Sequence, residues 1–165
     1  MTTNNNQNLK EATELFLFRN QQVLLGLKKT GLGKGKRLGI GGKCEPGESI
    51  LETAVREVEE EICITLSPDS LDKIAIIDFI FPYKPAWSMK VHFFFVTSWS
   101  GEPQETIEIS PEFYPVTQVP YEKMWQDTKL WFPDALNGKR LTGKIVYGED
   151  NEQVVDYHFT EWENS

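Results

Sequence analysis

Residues 14–18 and 23–27 are two strand-length, mostly apolar runs joined by a polar turn at 19–22. A glycine-rich, basic stretch at residues 28–42 follows. The period then changes. Pro46 and Gly47 interrupt the loop, Ser49 and Glu52 form a capping-box pair, and Leu51, Ala54, Val55, Val58 and Ile62 recur at helical spacing. This predicts a helix over about 50–62 that lays one face on a sheet. Pro68 and Asp69 mark a loop, and strand-like runs at 73–81, 89–99 and 112–119 are separated by proline and glycine. A second helix is expected over about 128–137, and two last strands, 143–147 and 154–159, flank a turn at 148–152. No internal repeat has a solenoid period. Many strands with two main helices predict an α+β domain, a mixed sheet sandwiched by helices.

Composition narrows this picture. The 165 residues, with 39% hydrophobic and 12% aromatic side chains, suit one folded domain rather than a disordered chain. The polar, Asn-rich start reads as a disordered tail over 1–12, leaving 13–165 as the domain. A net charge of -8 argues against a general nucleic-acid- or membrane-coating surface. Five of the 17 basic residues (Lys28, Lys29, Lys34, Lys36, Arg37) cluster in the glycine-rich stretch, which fits a phosphate-facing loop and a solvated loop equally. No apolar run approaches the ~18 residues of a membrane span. Cys44 and Cys63 are too few for a disulfide scaffold and lack zinc-site spacing, so a reducing cytoplasm is expected. His92 and His158 stand alone in strand-like contexts and read as structural.

The informative chemistry lies on the first helix. At ~100° per residue, Glu57, Glu60 and Glu61 share a face beside the apolar stripe. Like charges at i, i+4, and acids near a helix C-terminus, are each mildly unfavourable. By themselves the three glutamates fit a solvated acidic face or a divalent-cation site, since hard cations such as Mg²⁺ or Mn²⁺ prefer clustered carboxylates. Arg56 is within helical reach of Glu52 or Glu60, where it would orient a ligand carboxylate.

Gly42, five residues, Glu48, seven residues, then Arg56-Glu57-Val58-Glu59-Glu60-Glu61 resembles the Nudix box. One position departs: Cys63 stands where the family has a glycine, a site expected to need a left-handed backbone, at a cost of about 1 kcal/mol. The resemblance implies an α/β/α sandwich with a mixed, partly antiparallel sheet. It also implies metal-dependent hydrolysis of a nucleoside diphosphate linked to another group. Glu57, Glu60 and Glu61 would hold the metals, the Gly42 carbonyl, Lys43 and Glu48 would support them, and Glu57 or Glu108 would act as base.

Over most of the chain the sequence is similar to the MutT-homologue enzymes of the human type, which convert oxidised purine nucleoside triphosphates to monophosphate and pyrophosphate. Leu24-Leu25-Gly26-Leu27-Lys28-Lys29, Gly41-Gly42-Lys43, Met124-Trp125 with Asp127, and Trp131-Phe132-Pro133 carry that similarity. It implies that Trp125, Trp131, Phe79 and Met89 line a base pocket, that Asp127 meets the purine edge, that Lys28 lies near substrate, and that Glu108 is a further acid near the metals. Leu38 and Thr128 replace an asparagine and an aspartate of that subfamily, and Leu32 replaces an aromatic, so altered base selectivity is expected. The remaining alternatives are a Nudix enzyme acting on a sugar- or dinucleoside-linked diphosphate and a non-catalytic nucleotide-binding module. Walker A and dinucleotide-binding fingerprints both fail, at Thr30 and Arg37 and at Leu38 respectively. A monomer acting on a free nucleotide, without nucleic-acid or membrane partners, is expected.

Overall fold

The computed structural model describes residues 9–162. Its main elements run β1 (Lys10–Arg19), β2 (Gln22–Lys28), β3 (Arg37–Leu38), α1 (Ile50–Ile62), β4 (Asp72–Ile80), β5 (Met89–Val96), β6 (Ile109–Pro115), α2 (Thr128–Leu136), β7 (Leu141–Tyr147) and β8 (Val154–Glu161). One mixed sheet has the order β3-β2-β1-β5-β4-β7-β8, with β6 on β2. The β1–β5 and β4–β7 pairs are parallel, and the others antiparallel.

Alternation along β1 sorts the core into two layers. Leu15 and Leu17 join Ala54, Val58 and Ile62 under α1, whereas Ala12 and Phe16 join Phe93, Trp131 and Phe132 under α2. The α+β sandwich with a mixed, partly antiparallel sheet is therefore the observed architecture.

Helix α1 has the expected bounds because its signals are local. Ser49 accepts from the Glu52 backbone while Glu52 returns a bond to Ser49. Cys63 ends the helix at φ 63, the left-handed conformation expected there. The buried arc is rotated from the apolar stripe: Leu51 is 42% exposed, while Thr53 and Glu61 are buried.

Strand limits set by distant partners depart from the sequence pattern. Strand β1 begins at Lys10, inside the expected tail, because β5 offers a continuous ladder from the Lys10–Met89 pair onward. Residues 1–8 of that tail lie outside the described residues. Strand β5 stops at Val96 rather than near residue 99, and β6 occupies Ile109–Pro115 rather than 112–119 because it pairs along all of β2. His92 is held between Lys73 and Glu11 at 3.1 and 3.0 Å, a structural setting.

Candidate active site

Strand β2 pairs with β1 only through Gln22–Leu24, then swings to β3. The space beside β1 is taken by the segment after β3, with bridges Leu15–Ile40 and Ala12–Lys43. This brings Gly42 against the C-terminal half of α1. A Cβ added at Gly42 would lie 2.6 Å from Cδ of Glu57 and 2.7 Å from both its oxygens. The Gly42 carbonyl, which the resemblance places among metal supports, accepts from Thr13 N at 2.9 Å and Thr13 Oγ1 at 3.4 Å. The missing side chain at Gly42 leaves room for the Glu57 carboxyl.

Arg56 organises the carboxylates. Its Nε and Nη2 donate to the two oxygens of Glu48 at 2.6 and 2.9 Å, and its Nη1 donates to Glu57 at 2.9 Å and Glu60 at 3.0 Å. Nη2 also donates to the Lys43 carbonyl at 3.2 Å. Of the two partners expected along the helix, Glu60 is bonded, whereas Glu52 is committed to the cap. The Arg56 bonds, with a second from Thr53 Oγ1, hold the Glu48 carboxyl well below its ordinary value, at about 2.

Glu61 is 3% exposed, and its nearest cation is Lys28, with Nζ at 3.9 Å. Burial pushes its carboxyl up to about 7, against the pull of Lys28 and with Glu57 and Glu108 adding repulsion. Burial likewise raises Glu57, against the pull of Arg56. Among the described residues, no three acidic, Cys or His side chains converge at ligating spacing. Glu57 and Glu60 turn to Arg56, and Glu61 lies toward Lys28. The donor chemistry nevertheless fits a hard divalent cation: Glu57, Glu60, Glu61 and Glu108 are all oxygen donors, and burial disfavours the charged carboxylates of Glu57 and Glu61, a cost a bound cation would offset.

A cleft of about 580 Å³ runs from these acids to an aromatic recess, a size suited to a small ligand. Lys28, Leu38, Phe79, Met89, Trp125, Asp127, Thr128 and Trp131 all line it, with Glu57, Glu61, Glu108, Gly42 and Lys43 at the acidic end. Arg56 reaches that end through its bond to Glu57, and Glu48 and Glu60 are tied to it through Arg56. Trp131 is almost wholly buried and forms the floor, its ring 4.5 Å from Phe93. Asp127 is engaged from within: Trp131 Nε1 donates to Oδ2 at 2.9 Å and the Tyr147 hydroxyl donates to Oδ1. Burial raises the Asp127 carboxyl and these two bonds lower it.

The basic stretch does not form a phosphate-facing loop as a whole. Lys28 lines the cleft, but Lys29 pairs with Glu105 at 3.3 Å and Arg37 with Glu112 at 3.4 Å. Lys36 pairs with Glu152 at 2.7 Å and lies over Trp125, 4.9 Å from the ring centre. Sequence reasoning missed Glu14, Tyr147, Phe81 and Trp87, which also line the cleft. For Glu14 a signal existed, an acid at an inward position of a central strand. The other three meet through non-local packing, with the Phe81 and Tyr147 rings stacked 4.7 Å apart.

A mixed sheet between two helices, with an acid-lined helix over one cleft, is the architecture of MutT-type hydrolases. A mutator MutT protein from Bacillus halodurans superposes with a TM-score of 0.79 at 28% identity, covering 92% of this chain and 97% of that one. A MutT NUDIX hydrolase from Burkholderia pseudomallei shares the fold at a TM-score of 0.66 and 21% identity, over 78% of this chain and 95% of that one. The chain belongs to the Nudix family: the NUDIX domain profile matches residues 9–135. Within it, the chain is 38% identical over 143 residues to an oxidized purine nucleoside triphosphate hydrolase from Danio rerio, spanning 87% of this chain and 89% of the relative. The Mus musculus protein of the same name is 36% identical over 149 residues, spanning 90% and 93%. The protein is thus a Nudix hydrolase, from a family whose chemistry is in general divalent-metal dependent.

Proposed function

We propose that this chain hydrolyses a purine nucleoside triphosphate to monophosphate and pyrophosphate. The observation that carries this reading is the single cleft that joins the α1 carboxylates to an aromatic recess. Glu57, Glu60, Glu61 and Glu108 would hold Mg²⁺ or Mn²⁺, which when bound neutralises charge developing on the phosphate oxygens. Glu48 and Arg56 fix the acids in place, Arg56 through its forked bonds. Lys28, at the boundary of the two ends, meets phosphate oxygens. Glu57 is the better-poised base for the attacking water, because burial raises its basicity while Arg56 orients one oxygen.

In the recess, Trp125 offers an aromatic face for base stacking, and Phe79 and Met89 complete the walls. Leu38 presents hydrocarbon and Thr128 a single hydroxyl, so base selectivity is altered from that of subfamily members with amide and acid at these positions. The chain works as a monomer on free nucleotides in a reducing cytoplasm, where its free Cys44 and Cys63 stay thiols.

Turnover of 8-oxo-dGTP, 2-oxo-dATP, O6-methyl-dGTP and the four ordinary dNTPs with Mg²⁺, with products identified, tests this reading. Monophosphate plus pyrophosphate from at least one purine is expected. No turnover of any of them, with activity on a sugar- or dinucleoside-linked diphosphate, would overturn it.

A further inference from the structure

Strand β1 is central, lying between β2 and β5, and its inward positions on the α2 face run Ala12, Glu14, Phe16. Glu14 sits opposite Phe93, whose ring packs on Trp131. A carboxyl at such a place breaks the apolar pattern of the layer, and violations of that kind in a central strand mark function more often than stability. The chain also makes room for it: a Cβ at Gly39 would lie 2.8 Å from Cγ of Glu14.

The carboxyl lines the recess, with Asp127, Glu61 and Lys28 as the charged groups that act on it. Asp127, Tyr147 and Trp131 direct their polar atoms at one another. Among the described residues, the Glu14 carboxyl bonds no other side chain, and only the Gly39 backbone supports it. Leu38 cannot hydrogen-bond, and Thr128 is largely buried with one hydroxyl. Glu14 is therefore the acid at this end whose carboxyl no other side chain engages.

We propose that Glu14 reads the base, its carboxyl hydrogen-bonding to an N–H donor on the edge of a purine stacked in the recess. This rests on the reading of the cleft as a nucleotide site. Burial, with Asp127 adding repulsion, pushes the Glu14 carboxyl up to about 8. An acid form would supply an O–H donor beside a carbonyl acceptor, so that adjacent donor and acceptor atoms on one base edge are met together. A group buried without its ligand's bonds disfavours every base that fails to supply them, which makes Glu14 a specificity determinant rather than a general source of affinity.

The test is equilibrium binding of nucleoside monophosphates (8-oxo-dGMP, dGMP, dAMP, dCMP) to the full chain and to Glu14→Gln and Glu14→Leu, followed by tryptophan fluorescence and calorimetry. The wild type is expected to discriminate among bases. Glu14→Leu should weaken its preferred purine about 10-fold or more while changing the others little, flattening the ratios. The near-isosteric Glu14→Gln, which keeps the volume and so the fold, should reorder the preferences because its amide places a fixed N–H where the carboxyl has an oxygen. Unchanged ratios in both variants, an equal loss for every nucleotide, or a wild type indifferent to the base would each overturn the proposal. Ratios that collapse in Glu14→Leu although the wild type hydrolyses no triphosphate would sustain Glu14 as base reader and refute the proposed reaction.

Discussion

Replacing Gly42 by alanine puts a methyl group where the Glu57 carboxyl now rests. The new Cβ falls 2.6 Å from Cδ and 2.7 Å from each oxygen, short of ordinary contact at 3.4 Å by about 0.7 to 0.8 Å. Gly42 does not have a positive φ, so alanine brings no backbone strain, and the atoms struck belong to the far end of a flexible side chain. The fold should survive with a stability change within about 1 kcal/mol. The carboxylate, however, must shift by most of an ångström out of its bond to Arg56, and a misplacement of that size in a reacting group costs about 100-fold in rate. The assay is steady-state turnover with Mg²⁺ on the best triphosphate of the panel, alongside monophosphate binding and thermal unfolding. A kcat lowered about 100-fold, with monophosphate affinity and melting temperature near wild type, is expected. Turnover within threefold of wild type would show that the position of Glu57 is not critical and refute its assignment to the reaction.

Three other perturbations probe the supports of the site. Cys63→Gly removes a side chain from a left-handed backbone and should raise stability by about 1 kcal/mol, or about 2–4 °C in melting temperature; no gain in calorimetry would contradict the strain at this cap. Tyr147→Phe takes a donor from the buried Asp127 carboxyl and should lower urea-derived stability by about 1–3 kcal/mol, a reading contradicted by an unchanged midpoint. The Glu48 carboxyl is held at about 2 against an ordinary 4.5, so the stability it contributes is fully present above pH 4.5 and is lost as pH falls through 2. The melting-temperature gap between wild type and Glu48→Gln should therefore be constant above pH 4.5 and close toward pH 2; a gap that persists at the acid end would show another origin.

The bounds of helix α1 were legible because their signals lie within one or two turns, the Ser49–Glu52 cap, the recurrence of Ala54, Val58 and Ile62, and the stop at Cys63, whereas its buried arc, which leaves Leu51 exposed and takes in Thr53 and Glu61, was not. Glu57, Glu60 and Glu61 were legible for the same reason, since helical geometry alone puts them on one face. Strand limits were less so. Lys10 and Glu11 carry no alternation, and their place in β1 depends on β5, nearly eighty residues away. The roles of the basic residues were similarly hidden, because the acids that hold Lys29, Lys36 and Arg37 come from distant segments.

The sequence by itself determined the family, the helix and the spacing of the acids, all of which follow from contacts between residues a few positions apart. Tertiary structure decided which of those groups share a cleft. It paired the Gly42 carbonyl with Thr13, gave Asp127 bonds from Tyr147 and Trp131 at the wall of the cleft, and brought Glu14 into the lining of the aromatic recess. These outcomes depend on register between strands far apart in the chain, and a one-residue slip would send each side chain to the opposite face.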